Sequence, residues 1–295
     1  MSLEVELILD VKAELGEGPS WDGDSNVLYW VDILGKCIHT YEPTTGKTGM
    51  IQLHEHIGAV VPKKGGGFAA VLQSGFYEVD LPSEKLTAIA DPEEHLPNNR
   101  FNDGKCDPKG RFWAGTMPYD GEEGKGNFYV LEPNGHVKKV LDNITCSNGI
   151  AWNPENTTMY YIDTPTRQVA AFDYDLETGE ISNRRVAVEI PQGMGVPDGM
   201  TSDVEGNIWV AHWGGYRVTK WNPNTGEMLD SIPIPAPQVT SCVFGGNNMD
   251  ELYITTARTG LDEETLREYP HTGGLFMIKT NTKGAPTFKF GNLRD

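Results

Sequence analysis

The sequence predicts an all-β fold, a six-bladed β-propeller with a central channel, on three observations. A short apolar segment, a turn rich in Gly, Asp, Asn or Pro, and a β-branched or aromatic strand recur six times. The turns return every 39 to 50 residues, about the length of one four-stranded blade. Helical periodicity is nearly absent, the best stretch being DEETLREY at 262–269.

The six units begin with WDGDSNVLYWVD at 21, PKKGGGFAAVL at 62, CDPKGRFWAGT at 106, AWNPENTTMYYID at 151, TSDVEGNIWVAHW at 201 and VFGGNNMDELYITTA at 243. Each is followed by a second turn-and-strand piece that reads as an outer hairpin, among them CIHTYEPTTGKTGMI, FYEVDLPSEKLTAI and VTKWNPNTGEMLDSI. A β-sandwich would not give six similar units. The segment EVELILD is expected to complete the last blade and close the ring. One propeller domain is expected over residues 1–295.

The chain is strongly acidic, with 24 Lys and Arg against 42 Asp and Glu for a net charge of −18. Such a balance argues against a nucleic-acid partner, which basic surface recognises, and suits a cation. No apolar run approaches the length of a membrane span. MSLEVELILD carries acids where a signal peptide carries bases, so a cytoplasmic protein is expected. A propeller of this size is expected to stand as a monomer. The four cysteines, at 37, 106, 146 and 242, fit no zinc or CxxC spacing and are expected to be reduced. There is no GxSxG, no P-loop and no GxGxxG in a βαβ context, which counts against serine-esterase and nucleotide chemistry.

Aligned on their first turns, the units place Gly23, Pro62, Pro108, Pro154, Val204 and Gly246 in equivalent positions. Six residues before these stand Glu17, His56, Asn102, Asn148, Asp198 and Thr240, all polar. The innermost strand of every blade starts at one face of the channel, so these positions should form a ring around its mouth. Glu17, Asn102, Asn148 and Asp198 are hard oxygen donors that suit Ca²⁺, Mg²⁺ or Mn²⁺. With no Cys and a single His in the ring, a structural zinc site is disfavoured. Loops opening on the same face carry Asp32, Asp120, Asp163, Thr164, His212 and Arg258, and Arg100, Asp120 and Arg258 are candidates to surround the ring. In RFNDGKCDP, at 100–108, Arg100 and Asn102 are expected to face the mouth, while Asp103 caps the backbone of the turn.

Five separated pieces carry a resemblance to a known family: LGEGPSWD at 15–22, RFNDGKCDPKGRFWAGTM at 100–117, SNGIAWNP at 147–154, PDGMTSDVEGNIWVA at 197–211, and TSCVFGG with LYITTAR within 240–258. The chain resembles the family of senescence marker protein (regucalcin), gluconolactonase and luciferin-regenerating enzyme over nearly its whole length. The resemblance implies one divalent metal in the channel, with Glu17, Asn148 and Asp198 as its ligands and Arg100 and Asn102 as substrate-binding residues. Ca²⁺ is the expected ion, with Mg²⁺, Mn²⁺ or Zn²⁺ as alternatives. A family carboxylate three residues after GTM, usually Glu, is Asp120 here, one methylene shorter and behind Pro118. The segment between GTM and GNFYVL is also brief. The resemblance further implies hydrolysis of a small polar sugar lactone, and for that chemistry Asp198 is the candidate general base that takes a proton from the attacking water. Two alternatives stand beside it: a non-enzymatic calcium-binding regulatory protein, and hydrolysis of organophosphates or other esters on the same metal.

Overall fold

Strand-forming residues dominate every repeat, and in the computed structural model they assemble into six four-stranded antiparallel sheets arranged as the blades of a propeller. Residues 4–80, 83 and 85–291 are described. Residues 1–3, 81, 82, 84 and 292–295 lie outside them, including most of the turn expected in FYEVDLPSEKLTAI. The innermost strands are Gly16–Asp22, Ile57–Pro62, Asn99–Cys106, Ser147–Trp152, Val196–Ser202 and Gln238–Gly245. Each adjoins the innermost strands of both neighbouring blades, so the ring is closed.

The expected clasp is present. Val5–Leu9 pairs antiparallel with Leu275–Lys279 and supplies the outer strand of the sixth blade. Sealing the ring therefore rests on hydrogen bonds between an N-terminal strand and the last strand of the sixth blade. The expected helical stretch forms the one α-helix among the described residues, Glu263–Glu268. The Asp262 carboxylate caps it by accepting from Thr265 N at 2.8 Å.

Burial falls from the axis outward. All six residues of Ile57–Pro62 are buried, whereas five of six in the outer strand Lys47–Gln52 are exposed. Successive side chains of a strand face opposite sides of its sheet, and each side packs on the next blade. The apolar core is accordingly divided into six clusters, one per seam. Phe76, Phe101 and Phe112 fill the seam between blades two and three, and Trp113, Phe128 and Tyr161 that between three and four. Apolar side chains occupy the seams, and polar ones are left to the axis.

The turns between first and second strands of the third and fifth blades share one device. Asp107 accepts from Lys109 N and Arg111 N, from Arg111 Nε, from Trp113 Nε1 and from Tyr174 Oη. Asp203 plays the same part in the fifth blade, accepting from Glu205 N, Asn207 N and Trp209 Nε1. A carboxylate at the end of one strand thus closes the turn and ties down the tryptophan of the next. All four cysteines are free, and three of them are buried. Among the described residues no helix is long and apolar enough to cross a membrane.

Replacing Asp107 by Ala leaves the buried Arg111 guanidinium without its partner. The expected loss is about 3–5 kcal/mol of stability. In urea unfolding it should appear as a lower midpoint with an unchanged slope.

Candidate active site and metal centre

One local distortion builds the mouth of the channel. In all six blades the pairing of first and second strands slips at the ring positions: between Glu17 and Ser20, Ile57 and Ala59, Phe101 and Gly104, Ser147 and Ile150, Pro197 and Met200, and Val239 and Ser241. A bulge breaks the strict alternation of a strand and re-aims a side chain. Glycine is required at two of these places by crowding. A Cβ at Gly58 would stand 2.3 Å from the Asn102 carbonyl oxygen, and one at Gly149 would stand 2.8 Å from that of Asp198.

Four of the six ring residues gather. Glu17, Asn102, Asn148 and Asp198 are all buried. Asn102 Nδ2 donates to Ser147 O at 2.7 Å and to Asn148 Oδ1 at 3.2 Å, while Asn102 Oδ1 accepts from Arg100 Nη1 at 2.7 Å. Thr164 Oγ1 donates to Pro197 O at 2.9 Å, so toward Asn148 it can only accept. That fixes the Asn148 amide nitrogen toward Thr164, at 2.8 Å, and its oxygen toward Asn102. The other two ring residues are engaged elsewhere. Thr240 Oγ1 donates to Gly16 O at 2.6 Å across the closing seam. His56 sits on the rim, its Nδ1 2.6 Å from Tyr119 Oη.

The electrostatics of the mouth are unbalanced. Burial pushes the Glu17 carboxyl up to about 8, and the charge of Asp103 adds to the rise. Burial also holds the Asp198 carboxyl well above the usual carboxylate range, helped by Glu17 and Asp103. Glu17 and Asp198 are close enough to act on each other, and the charge of Glu17 adds to the rise at Asp198. Burial lowers the pKa of Arg100, and Glu17 and Asp198 are among the groups that draw it back up. The buried carboxylates outweigh the positive charge available to them, which is the condition a bound cation relieves.

The donor set fits a hard divalent ion. Glu17 and Asp198 offer carboxylate oxygens and Asn148 an amide oxygen, all on rigid strands, and backbone oxygens or water would complete the shell. Among the described residues no three His, Cys, Asp or Glu side chains come together as a metal-holding group. Asp103 Oδ1 accepts from Gly104 N at 2.7 Å, the backbone cap expected of it, and Glu17 Oε2 accepts from Gly18 N at 3.0 Å in the same way.

Asp120 and Arg258 are not brought into this cluster. The Asp120 carboxylate is exposed and accepts from Asn98 Nδ2 at 2.6 Å and Glu122 N at 3.0 Å. Neither residue hydrogen-bonds to the ring. Asp32 and Asp163 close turns by accepting from backbone N–H groups. His212 is fully buried between Met194 O, at 2.9 Å, and Thr219 Oγ1, at 2.6 Å. Two residues outside the ring positions also bear on the channel, Tyr119 beside Arg100 at the mouth and Lys105 further along it. The Tyr119 ring lies 5.9 Å from the Arg100 guanidinium carbon, and its hydroxyl donates to Gln73 Oε1 at 2.8 Å. The half-buried Lys105 sends Nζ to Met200 O at 2.6 Å. Its signal in the sequence was an ammonium inside an innermost strand.

Residues 15–258 match the family described as SMP-30/Gluconolactonase/LRE-like region, and the chain belongs to that family. It is 39% identical over 282 residues to a protein of Bacillus subtilis (strain 168) named "Putative sugar lactone lactonase YvrE", covering 96% of this chain and 97% of that one. A solved luciferin-regenerating enzyme superposes with a TM-score of 0.91 at 36% identity, covering 99% of this chain and 100% of that one. A regucalcin of Agrobacterium tumefaciens, described as a calcium-binding protein, superposes with a TM-score of 0.92 at 28% identity, over 99% and 98% of the two chains.

With divalent ions removed by chelator, the protein should lose stability as pH rises from about 4.5, the ordinary value of a glutamate, to about 8. The folded state keeps a proton that the unfolded chain gives up in this window, so each step upward favours unfolding. Scanning calorimetry across the window should show a falling melting temperature, and Glu17→Gln should flatten the fall.

Proposed function

We propose that this protein is a divalent-metal-dependent hydrolase that opens sugar lactones. The observation that carries the reading is the pair of buried carboxyl groups, Glu17 and Asp198, brought from blades one and five to a mouth lined by the buried Arg100 and Asn102. The lactonase name of the Bacillus subtilis relative supports the substrate class. The calcium-binding description of the regucalcin structure supports Ca²⁺ as the ion.

Glu17, Asn148 and Asp198 would hold the ion. When bound, it supplies a Lewis acid for the ester carbonyl and favours ionised carboxylates. Asp198 is the general base that takes a proton from the attacking water. Arg100 keeps donors free after its bonds to Asn102 Oδ1 and Phe101 O, and these suit lactone hydroxyls and the carboxylate of the opened product. Thr164 is a positioning residue, since it sets the face that Asn148 presents. The substrate is a small polar sugar lactone, and no nucleic-acid or membrane partner enters the reading.

A pH-indicator assay of D-glucono-1,5-lactone opening tests it. Chelator-treated protein should be inactive, and Ca²⁺, Mg²⁺, Mn²⁺ or Zn²⁺ added singly should restore turnover to different extents. Asp198→Asn should lower kcat by about 10²–10⁴-fold. If no ion restores turnover on this or other lactones although calorimetry shows that one binds, the calcium-binding reading replaces the enzyme.

The two sides of the mouth should differ. Arg100→Ala should lower kcat/KM by roughly 10–100-fold, the value of a charged hydrogen bond. Asp120→Ala should change it by far less, because that carboxylate is already committed to Asn98 and Glu122. Steady-state kinetics on the same lactone compares them.

A further inference from the structure

The channel has a second end. Three to five residues beyond the ring positions, roughly 10–15 Å at the rise of an extended strand, the six innermost strands line a cavity of about 190 Å³. The C-terminal segment lies across its base. Ala285 N donates to Ser202 O at 2.9 Å, and Thr287 Oγ1 donates to Trp21 O at 2.9 Å.

The charge in this cavity runs against that of the molecule. The chain carries a net charge of −18, yet among the described residues no Asp or Glu lines the cavity, and Lys105 is its one charged side chain. The Lys105 ammonium has three N–H donors and makes one hydrogen bond, to Met200 O. No carboxylate forms an ion pair with it among the described residues. Burial disfavours the ammonium, and the charge of the nearby Asp103 carboxylate, which forms no ion pair with it, offsets that only in part. Ser20, Asn156, Ser202 and Thr287 add neutral hydrogen-bonding groups to the lining. Trp152 also lines it, and its buried indole N–H has no partner. At the other end of the same strands the imbalance is reversed, with carboxylates in excess.

We propose that the far end of the channel is a binding site for a small anion, a carboxylate or an inorganic oxyanion, held on the Lys105 ammonium. It shares no lining residue with the mouth formed by Glu17, Arg100, Asn102, Asn148 and Asp198, and it does not depend on the lactonase reading. The apolar part of the lining, Val61, Val243 and Phe288, limits the occupant to one with a compact charged head.

Titration calorimetry with acetate, D-gluconate and sulfate at fixed ionic strength tests the site, with D-sorbitol as uncharged control. At least one anion should give a saturable isotherm with the wild-type protein, and sorbitol none. A response to acetate or gluconate but not sulfate identifies a carboxylate site, and the reverse an oxyanion site. Lys105→Met removes the charge. Asn156→Asp keeps a residue that tolerates the left-handed backbone there, at φ 56°, and places a carboxylate in the lining. Each should weaken binding at least tenfold, while Arg100→Ala, which removes the cation at the mouth, should leave it within twofold. Absence of saturable binding with all three anions, or unchanged affinity in both Lys105→Met and Asn156→Asp, overturns the proposal. So does a loss confined to Arg100→Ala, which would put the anion at the mouth.

Discussion

Packing in the seams governs this molecule. Every sheet buries both faces against its neighbours, so the apolar cores lie between blades and not at the axis. Six strands around an axis leave a channel that such packing does not fill. Polar groups can therefore stand there, held by rigid backbone and largely hidden from water. Under those conditions like charges interact strongly, and a carboxylate holds its proton well above its ordinary range.

The mouth uses that condition. Glu17 and Asp198 come from separate blades, and their approach is stabilised by the ring that delivers them. Burial and their mutual repulsion raise the proton affinity of both, and a divalent cation would relieve the same repulsion. Asp103 adds negative charge nearby while its oxygen closes the local turn. Asn102 and Asn148 are each fixed in orientation by partners that can act in one way only, a carbonyl for the first and a committed hydroxyl for the second. The lactone-opening reading thus rests on groups whose direction is set by hydrogen bonding and packing. The two ends of the channel also carry opposite imbalances, carboxylates at the mouth and an unpaired ammonium at the base, which is how one set of strands can address a cation at one end and an anion at the other.

Much of this was legible in the chain. Turn chemistry at a regular interval predicted the blades because each blade is the same solution to the same packing problem. Stepping back six residues from each turn reached Glu17, Asn102, Asn148 and Asp198 because an innermost strand has a nearly fixed length. The same step reached His56 and Thr240, and those two sit in the same register for other ends, one bonded to Tyr119 on the rim and the other to Gly16 across the seam. Register locates a side chain along the channel; it does not tell what that side chain touches.

The sequence by itself determined the number of blades and the residue types at the channel mouth, since these follow from local periodicity and turn propensity. Tertiary structure alone decided the rest. It turned Asp120 outward to Asn98, spent Asp103 on its own backbone, set Thr164 behind Asn148, and left Lys105 without an ion-pair partner at the base of the channel. Those outcomes depend on distances between residues far apart in the chain and on competition among neighbours for each hydrogen bond. They exist only once the ring has closed.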